Sequence, residues 1–196
     1  TLNNGVDPVS GRKVGLETGD PRGFGNYDEL YAAFMKQVRY FVDMKVRVSN
    51  YIDRMFAKYA PATFLSLFID DCIAKGRDYY NCGPRYNTTY IQCTGLGTIT
   101  DSLATLKKHI FEDKRWSMDE LLKAMADNFE GAEAMRQTIL NRTPFFGNDD
   151  EYADSIAVKV FDDLYDTIEG KPNTKGECFH LNMLSTTCHV YFGKVM

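Results

Sequence analysis

Apolar residues recur at helical spacing over one long stretch of the chain. Asn26, followed three residues later by Glu29, forms a capping pattern at the start of this stretch, and Pro61 ends it. The pattern predicts a helix from about residue 26 to about residue 60, long enough for one side to lie along a large partner surface. Its apolar positions are Leu30, Phe34, Val38, Phe41, Val48, Ile52, Met55 and Tyr59.

Shorter helices are predicted between Gly, Pro and capping signals. Ser117 with Glu120 is a second capping box, and Gly76, Gly131 and Gly170 are expected to end helices. The predicted ranges are 63–75, a helix that starts near 98–101 and runs to 108, 117–129, 132–141 and 150–169.

Two segments are rich in aromatic, β-branched and Gly residues, a composition that is typical of strands and tight loops. The first runs from Tyr79 to Gly97, and the second from Cys178 to Gly193 with a break near Ser185. Residues 1–25 are rich in turn signals and predict a long irregular loop. The order of predicted helices and strands along the chain is an α/β pattern. Its strands need neighbouring strands that are not all present in this sequence.

Both ends of the sequence lack the loose polar character of natural termini. The chain opens Thr1-Leu2-Asn3 and stops at Lys194-Val195-Met196 directly after a predicted strand. We therefore expect both ends to be cuts in a longer chain.

Composition and charge narrow the class of protein. The hydrophobic fraction of 44% is that of a globular protein. A net charge of −4 argues against a nucleic-acid partner, because phosphate binding needs a basic face. No apolar run approaches the roughly 18 residues of a membrane span. The 5 cysteines are odd in number and scattered, so a reducing cytoplasm is expected.

The sequence Gly95-Leu96-Gly97 precedes a predicted helix and resembles a phosphate-binding turn. The third glycine of a dinucleotide fingerprint is absent. The alternative is close packing, because glycine lets neighbouring groups approach the backbone.

Cysteine and histidine residues are the candidate metal ligands and nucleophiles. No C-x-x-C pair is present, as structural zinc sites usually require, so no metal is expected. Cys178 and His180 would share one face of a strand, whereas Cys188 and His189 would point to opposite faces and cannot pair with each other. A Cys-His nucleophile pair therefore needs a partner from elsewhere. The default for these thiols, and for His109, is burial in a core.

Several consecutive blocks of sequence resemble the glycyl-radical enzymes, in their pyruvate formate-lyase-like dehydratase branch. The resemblance spans essentially the whole chain. Its blocks are residues 1–22, Tyr86-Asn87, 95–103, Lys107 with 111–114, 128–131, 146–150 and 182–193.

The resemblance implies an α/β fold, a helix-rich part of a ten-stranded α/β barrel of the pyruvate formate-lyase type. Residues 1–196 would be an internal fragment of that single large barrel domain. The family's catalytic Cys, in a Gly-Cys-Val-Glu context, and its radical Gly would both lie outside this chain, so no residue here is assigned a catalytic role. None of the 5 cysteines has that context.

The resemblance also implies partners and a cofactor. No cofactor would be bound by this chain. The glycyl radical, on a segment outside it, would be installed by a radical-SAM activating enzyme, and the parent protein would be a homodimer acting on a small molecule. Thr186 and Thr187 are the candidate substrate-binding residues, because this branch places a Thr of that stretch near the substrate. The alternative for either is packing between barrel and helices, and Tyr86 and Asn87 are weaker candidates.

The implied reaction is removal of water from a small hydroxylated substrate such as trans-4-hydroxy-L-proline, after a thiyl radical takes a hydrogen atom. Cys82 to Arg85 and Cys93-Thr94 depart from the branch's usual residues, which leaves the substrate open. Other reactions of the family remain alternatives: choline cleavage, glycerol or propanediol dehydration, arylacetate decarboxylation and formate acetyl transfer. A non-enzymatic helical binding module is a further alternative.

Overall fold

The computed structural model describes residues 1–184, which form two compact units. The first unit contains residues 1–38 and 94–163, and the second contains residues 39–93 and 164–184. Each unit is therefore assembled from segments that are distant in the sequence.

Helices dominate the described residues, as predicted. In chain order the elements are a 3-10 turn (Pro21–Gly23), α1 (Tyr27–Tyr59), α2 (Thr63–Ser66), α3 (Cys72–Lys75), β1 (Thr89–Cys93), α4 (Leu96–Thr105), a π-helical segment (Leu106–Glu112), α5 (Met118–Ala126), α6 (Glu133–Arg142), α7 (Glu151–Ile168) and β2 (Phe179–Met183).

The predicted long helix is confirmed as α1. At its start, Asn26 Oδ1 accepts a hydrogen bond from the Glu29 amide at 2.9 Å, which satisfies one of the free N–H groups of the first turn. The part of α1 in the first unit buries apolar side chains, among them Leu30 and Met35. The part in the second unit leaves many apolar side chains exposed: Phe41, Val48, Tyr51, Ile52, Met55, Phe56 and Tyr59. The partner surface expected along this helix stays a prediction.

The predicted irregular loop, residues 1–25, is fastened to α1 by the buried side chain of Gln37. Gln37 Oε1 accepts a hydrogen bond from the Leu16 amide at 3.0 Å, and Nε2 donates to the Leu16 carbonyl and to Thr18 Oγ1. Asn4 Oδ1 accepts hydrogen bonds from the amides of Thr18 and Gly19 at 2.7 and 2.9 Å. Two side-chain amides thus add to the loop's own backbone hydrogen bonds, such as that from the Val14 amide to the Gly5 carbonyl.

The core of the first unit comes mainly from α4, the π-helical segment, α5 and α7. The predicted capping box is confirmed, because Ser117 Oγ accepts from the Glu120 amide while the Glu120 carboxylate accepts from the Ser117 amide. The buried residues of these elements are Leu103, Ala104, Leu106, Ile110, Met118, Leu121, Ala124, Ala153, Ile156, Ala157 and Val160.

Two helix boundaries differ from the prediction. The helix after Ser117 ends at Ala126 rather than near Phe129, because Asn128 and Phe129 take the left-handed backbone conformation with φ of 48° and 59°. The helix that begins at Leu96 continues through a π-helical segment to Glu112 instead of ending near residue 108. Such segments are uncommon in helices and often accompany functional sites.

In the second unit, the single helix predicted over residues 63–75 is wrong. The chain forms two short turns, α2 and α3, because Asp71 between them has a left-handed φ of 74°. The Asp71 carboxylate accepts hydrogen bonds from the Arg85 guanidinium at 3.2 and 3.3 Å, which helps to hold this conformation.

The strands β1 and β2 pair in parallel in the second unit. β1 occupies an inner part of the first segment that the sequence assigned to strands and loops, and β2 lies near the start of the second. Before β1, Gly83 lies so close to the carbonyl of Arg77 and the thiol of Cys72 that an added Cβ would be 2.4 and 2.6 Å from them. Tight turns therefore take up the Gly-rich part of the first segment, and residues 185–196 of the second lie outside the described residues.

Within residues 1–184, no helix has both the length and the apolar character needed to cross a membrane.

Candidate functional site

The two strands present a polar face and a buried face. Tyr90 lies opposite His180, and Gln92 lies opposite Asn182. Tyr90, Gln92 and Asn182 are exposed and His180 is half-buried, while Ile91 and Phe179 alternate with them and are buried. The ring centroids of Tyr90 and His180 are 5.7 Å apart. The polar face is therefore a coherent surface on which side chains can bind a ligand or each other.

A hydrogen-bonded array of three side chains lies at the start of β2. Cys178 Sγ is 3.5 Å from His180 Nε2, and His180 Nδ1 is hydrogen-bonded to Glu169 Oε1. The second carboxylate oxygen of Glu169 accepts from the Leu181 amide at 3.3 Å. The prediction that Cys178 and His180 share one strand face is confirmed.

The carboxylate of Glu169 determines which nitrogen of a neutral His180 carries the proton. A carboxylate only accepts hydrogen bonds, so Nδ1 must donate to it. Nε2 then has a free lone pair that faces the Cys178 thiol, and the thiol can donate its proton there. Sequence reasoning missed Glu169, because it belongs to the turn after α7 and comes next to β2 only when the chain folds.

The predicted substrate-binding residues, Thr186 and Thr187, lie outside the described residues, as do Cys188 and His189. The described chain reaches Leu184, whose amide donates to the Cys93 carbonyl at 3.2 Å.

Asn87, a weaker candidate, is used in loop hydrogen bonds. Its side-chain amide donates to the Pro84 carbonyl at 2.8 Å, and its backbone amide donates to Glu177 Oε1 at 3.0 Å. Tyr86 is mostly exposed. These contacts give Asn87 a structural role in the loop before β1.

The packing alternative for Gly95-Leu96-Gly97 is supported. Gly95 has a φ of 89° at the start of α4, a conformation that favours glycine. A Cβ on Gly97 would be 3.2 Å from the ring of Phe146, whose amide donates to Asp101 Oδ1 at 2.8 Å. The glycine thus makes room for an aromatic side chain.

His109, on the π-helical segment, is a buried core histidine. Its Nε2 is 2.9 Å from Thr143 Oγ1, and its ring lies 5.4 Å from that of Trp116. Burial lowers the pKa of His109 below 6.5; the charges of Arg115 and Lys108 lower it further, against the opposing effect of Asp113. Among residues 1–184, no group of three or more His, Cys, Asp or Glu side chains has the geometry of a metal site.

Comparison with known proteins gives a consistent result. The family model described as "Pyruvate formate lyase-like" matches residues 1–193. The chain is 49% identical over 196 residues to a trans-4-hydroxy-L-proline dehydratase from Clostridioides difficile, and 31% identical over 193 residues to a (2S)-3-sulfopropanediol dehydratase from Klebsiella oxytoca. All of this chain corresponds to 25% of the first protein, and 98% of it to 23% of the second.

Solved structures agree. The crystal structure of hydroxyproline dehydratase from Clostridioides difficile with its substrate bound superposes with a TM-score of 0.94 at 49% identity, over 100% of this chain and 25% of that one. The glycerol-bound B12-independent glycerol dehydratase from Clostridium butyricum gives a TM-score of 0.90 at 30% identity, over 100% and 24%. The chain spans about a quarter of the length of the relatives it matches.

Proposed function

Because this chain belongs to the pyruvate formate lyase-like family, we propose that it is part of a glycyl-radical lyase that removes water from trans-4-hydroxy-L-proline. The observation that carries the proposal is the 49% identity over the whole chain to a protein with that activity, against 31% to a dehydratase of a different substrate. The α/β, helix-rich fold of a pyruvate formate-lyase-type barrel is confirmed by the superposition on that protein's structure.

The radical chemistry is assigned to parts of the protein other than this chain. When installed by a radical-SAM activating enzyme, a glycyl radical supplies the thiyl that abstracts hydrogen from the substrate. No cysteine of residues 1–196 has the Gly-Cys-Val-Glu context of the thiyl residue. We propose that residues 1–196 are one part of a single large barrel domain. We also propose that the whole protein is a homodimer located in the cytoplasm.

Within this chain, β1 and β2 supply two parallel strands. Thr186 and Thr187 are the proposed substrate contacts. A threonine hydroxyl can donate a hydrogen bond to the carboxylate of an amino-acid substrate or accept one from its hydroxyl. Such bonds to a charged group are stronger than those between neutral groups.

Dehydration of glycerol or a similar polyol is the second candidate reaction. It is favoured by the TM-score of 0.90 to a glycerol dehydratase at 30% identity. Membership of the family, in contrast, argues against a non-enzymatic binding module.

Product analysis of the full-length protein would test the proposal. The protein is activated anaerobically with its radical-SAM partner and offered trans-4-hydroxy-L-proline, glycerol, propanediol, choline and an arylacetate in separate reactions. We expect loss of water from hydroxyproline at a kcat/KM far above that for the other compounds. A radical signal in the electron paramagnetic resonance spectrum together with turnover of only glycerol, propanediol, choline or the arylacetate would refute the hydroxyproline assignment.

A further inference from the structure

Cys178 has surroundings that the other described cysteines lack. Cys72 is buried at 2% exposure, and burial raises the pKa of the Cys93 thiol. Cys82 Sγ contacts the Thr174 carbonyl at 4.0 Å. Cys178, in contrast, is half-buried and faces an imidazole nitrogen at 3.5 Å. Among the cysteines of residues 1–184, it is the one with a neighbouring base.

The base is itself held in place from two sides. Glu169 bonds to His180 Nδ1 and is fixed by the Leu181 amide, while the Tyr90 ring lies against the imidazole. The side chains of His180 and Glu169 are 30% and 26% exposed, so the array is partly accessible to solvent. Thiols are activated by an arrangement of this kind, in which a base lies next to the nucleophile and a third group orients the base.

We propose that Cys178 is a nucleophilic thiol that undergoes exchange with low-molecular-weight disulfides. The Cys178 proton passes to His180 Nε2, and Sγ attacks one sulfur of the disulfide. The S–S bond breaks, one half remains as a mixed disulfide on Cys178, and the other half leaves as a thiolate that takes the proton back from His180. The overall reaction exchanges one thiol for another and needs no further oxidant or reductant.

Proton transfer explains why each member of the array matters. The thiolate, not the thiol, is the attacking species. His180 accepts the proton, and the negative charge of Glu169 stabilises the imidazolium that results. Because the turn that carries Glu169 comes next to His180 only in the folded chain, the proposed reactivity belongs to the folded protein and would disappear on unfolding.

Modification by oxidised glutathione would test this proposal on the full-length protein without radical activation. Adducts at each cysteine are followed by peptide mass spectrometry over time. We expect Cys178 to be modified roughly tenfold or more faster than Cys82 or Cys93. Reducing agent should remove the adduct.

Two variants distinguish activation of the Cys178 thiol by His180 from simple solvent exposure of that thiol. His180→Gln should lower the rate at Cys178 by roughly tenfold or more, and Glu169→Gln should lower it by several-fold, with rates at Cys82 unchanged. Near-UV circular dichroism checks that each variant is folded. If Cys178 in the unaltered protein reacts no faster than Cys93, or if both folded variants keep the original rate, the proposal is wrong.

Discussion

The side chain of Gln37 makes two hydrogen bonds to the backbone of Leu16, one as acceptor and one as donor, across 21 positions of sequence. Gln37 therefore does for the irregular loop what a neighbouring strand does for a β-strand. The amide and carbonyl of Leu16 have this single side chain as their partner, so loss of the side chain would leave both unpaired.

Gln37→Leu should release the loop of residues 1–25. Leu16 is half-buried, so each unpaired backbone group costs near the low end of about 1–3 kcal/mol, and the loop should open about tenfold more often. Hydrogen-exchange mass spectrometry of the loop measures this opening. The matched control is Gln137→Leu on the exposed surface of α6, where Gln137 bonds only to nearby Glu133 and Asn141 side chains. Equal exchange in the two variants would contradict the anchoring role of Gln37.

Gly83→Ala should destabilise the second unit. Its Cβ would be 2.4 Å from the Arg77 carbonyl and 2.6 Å from Cys72 Sγ, and backbone atoms cannot move aside cheaply. Overpacking of this kind costs about 1–3 kcal/mol. The control is Gly23→Ala, whose Cβ meets nothing within 4 Å. Thermal unfolding should show a lower midpoint for the first variant only, and unchanged midpoints in both would show that the turn can widen.

The buried His109 should make the protein less stable in mild acid. Its folded pKa lies below 6.5, so below that pH the unfolded chain takes up a proton that the folded chain refuses, and stability falls. The loss is at most about 1.4 kcal/mol per pH unit, down to the folded pKa. His109→Asn removes this titration. Urea unfolding at pH 7.5 and 5.5 should show a smaller loss for the variant than for the original protein, and identical losses would contradict this assignment.

Thr186→Val and Thr187→Val test the proposed substrate contacts in the activated full-length protein. Valine keeps the shape of threonine and removes the hydroxyl. A lost hydrogen bond to a charged substrate costs about 1.5–3 kcal/mol, so kcat/KM should fall by about 10- to 150-fold in the variant whose hydroxyl binds. The glycyl radical content should stay the same, which separates binding from activation. Serine at the same position should restore much of the activity, and unchanged kcat/KM in both valine variants would refute the contacts.

The sequence predicted those parts of the fold that depend on local interactions. The start of α1 at Asn26 and the capping box at Ser117 are decided within four residues, and both are confirmed. The shared face of Cys178 and His180 follows from the period of a strand, so it too was predictable.

Features that depend on distant contacts escaped prediction. The break between α2 and α3 involves Asp71, whose partner Arg85 lies 14 residues away. Glu169 reaches His180 only when the turn after α7 folds back against β2, which lies in the same unit as Glu169. The family resemblance did predict the type of barrel, which the superposition confirms, because several matched blocks carry information on long-range structure that no single window holds.

The parallel pairing of Thr89 with Phe179 also bears on how this protein is made. The two strands are separated by roughly 90 residues, so the ribosome must complete α4 through α7 before β1 can find its partner. Loop closure over such a distance is slow. Throughout that interval the edge of β1 that β2 will cover is unpaired and can act as a template for association with other nascent chains, so protection by a chaperone during synthesis would have most effect between residues 93 and 179.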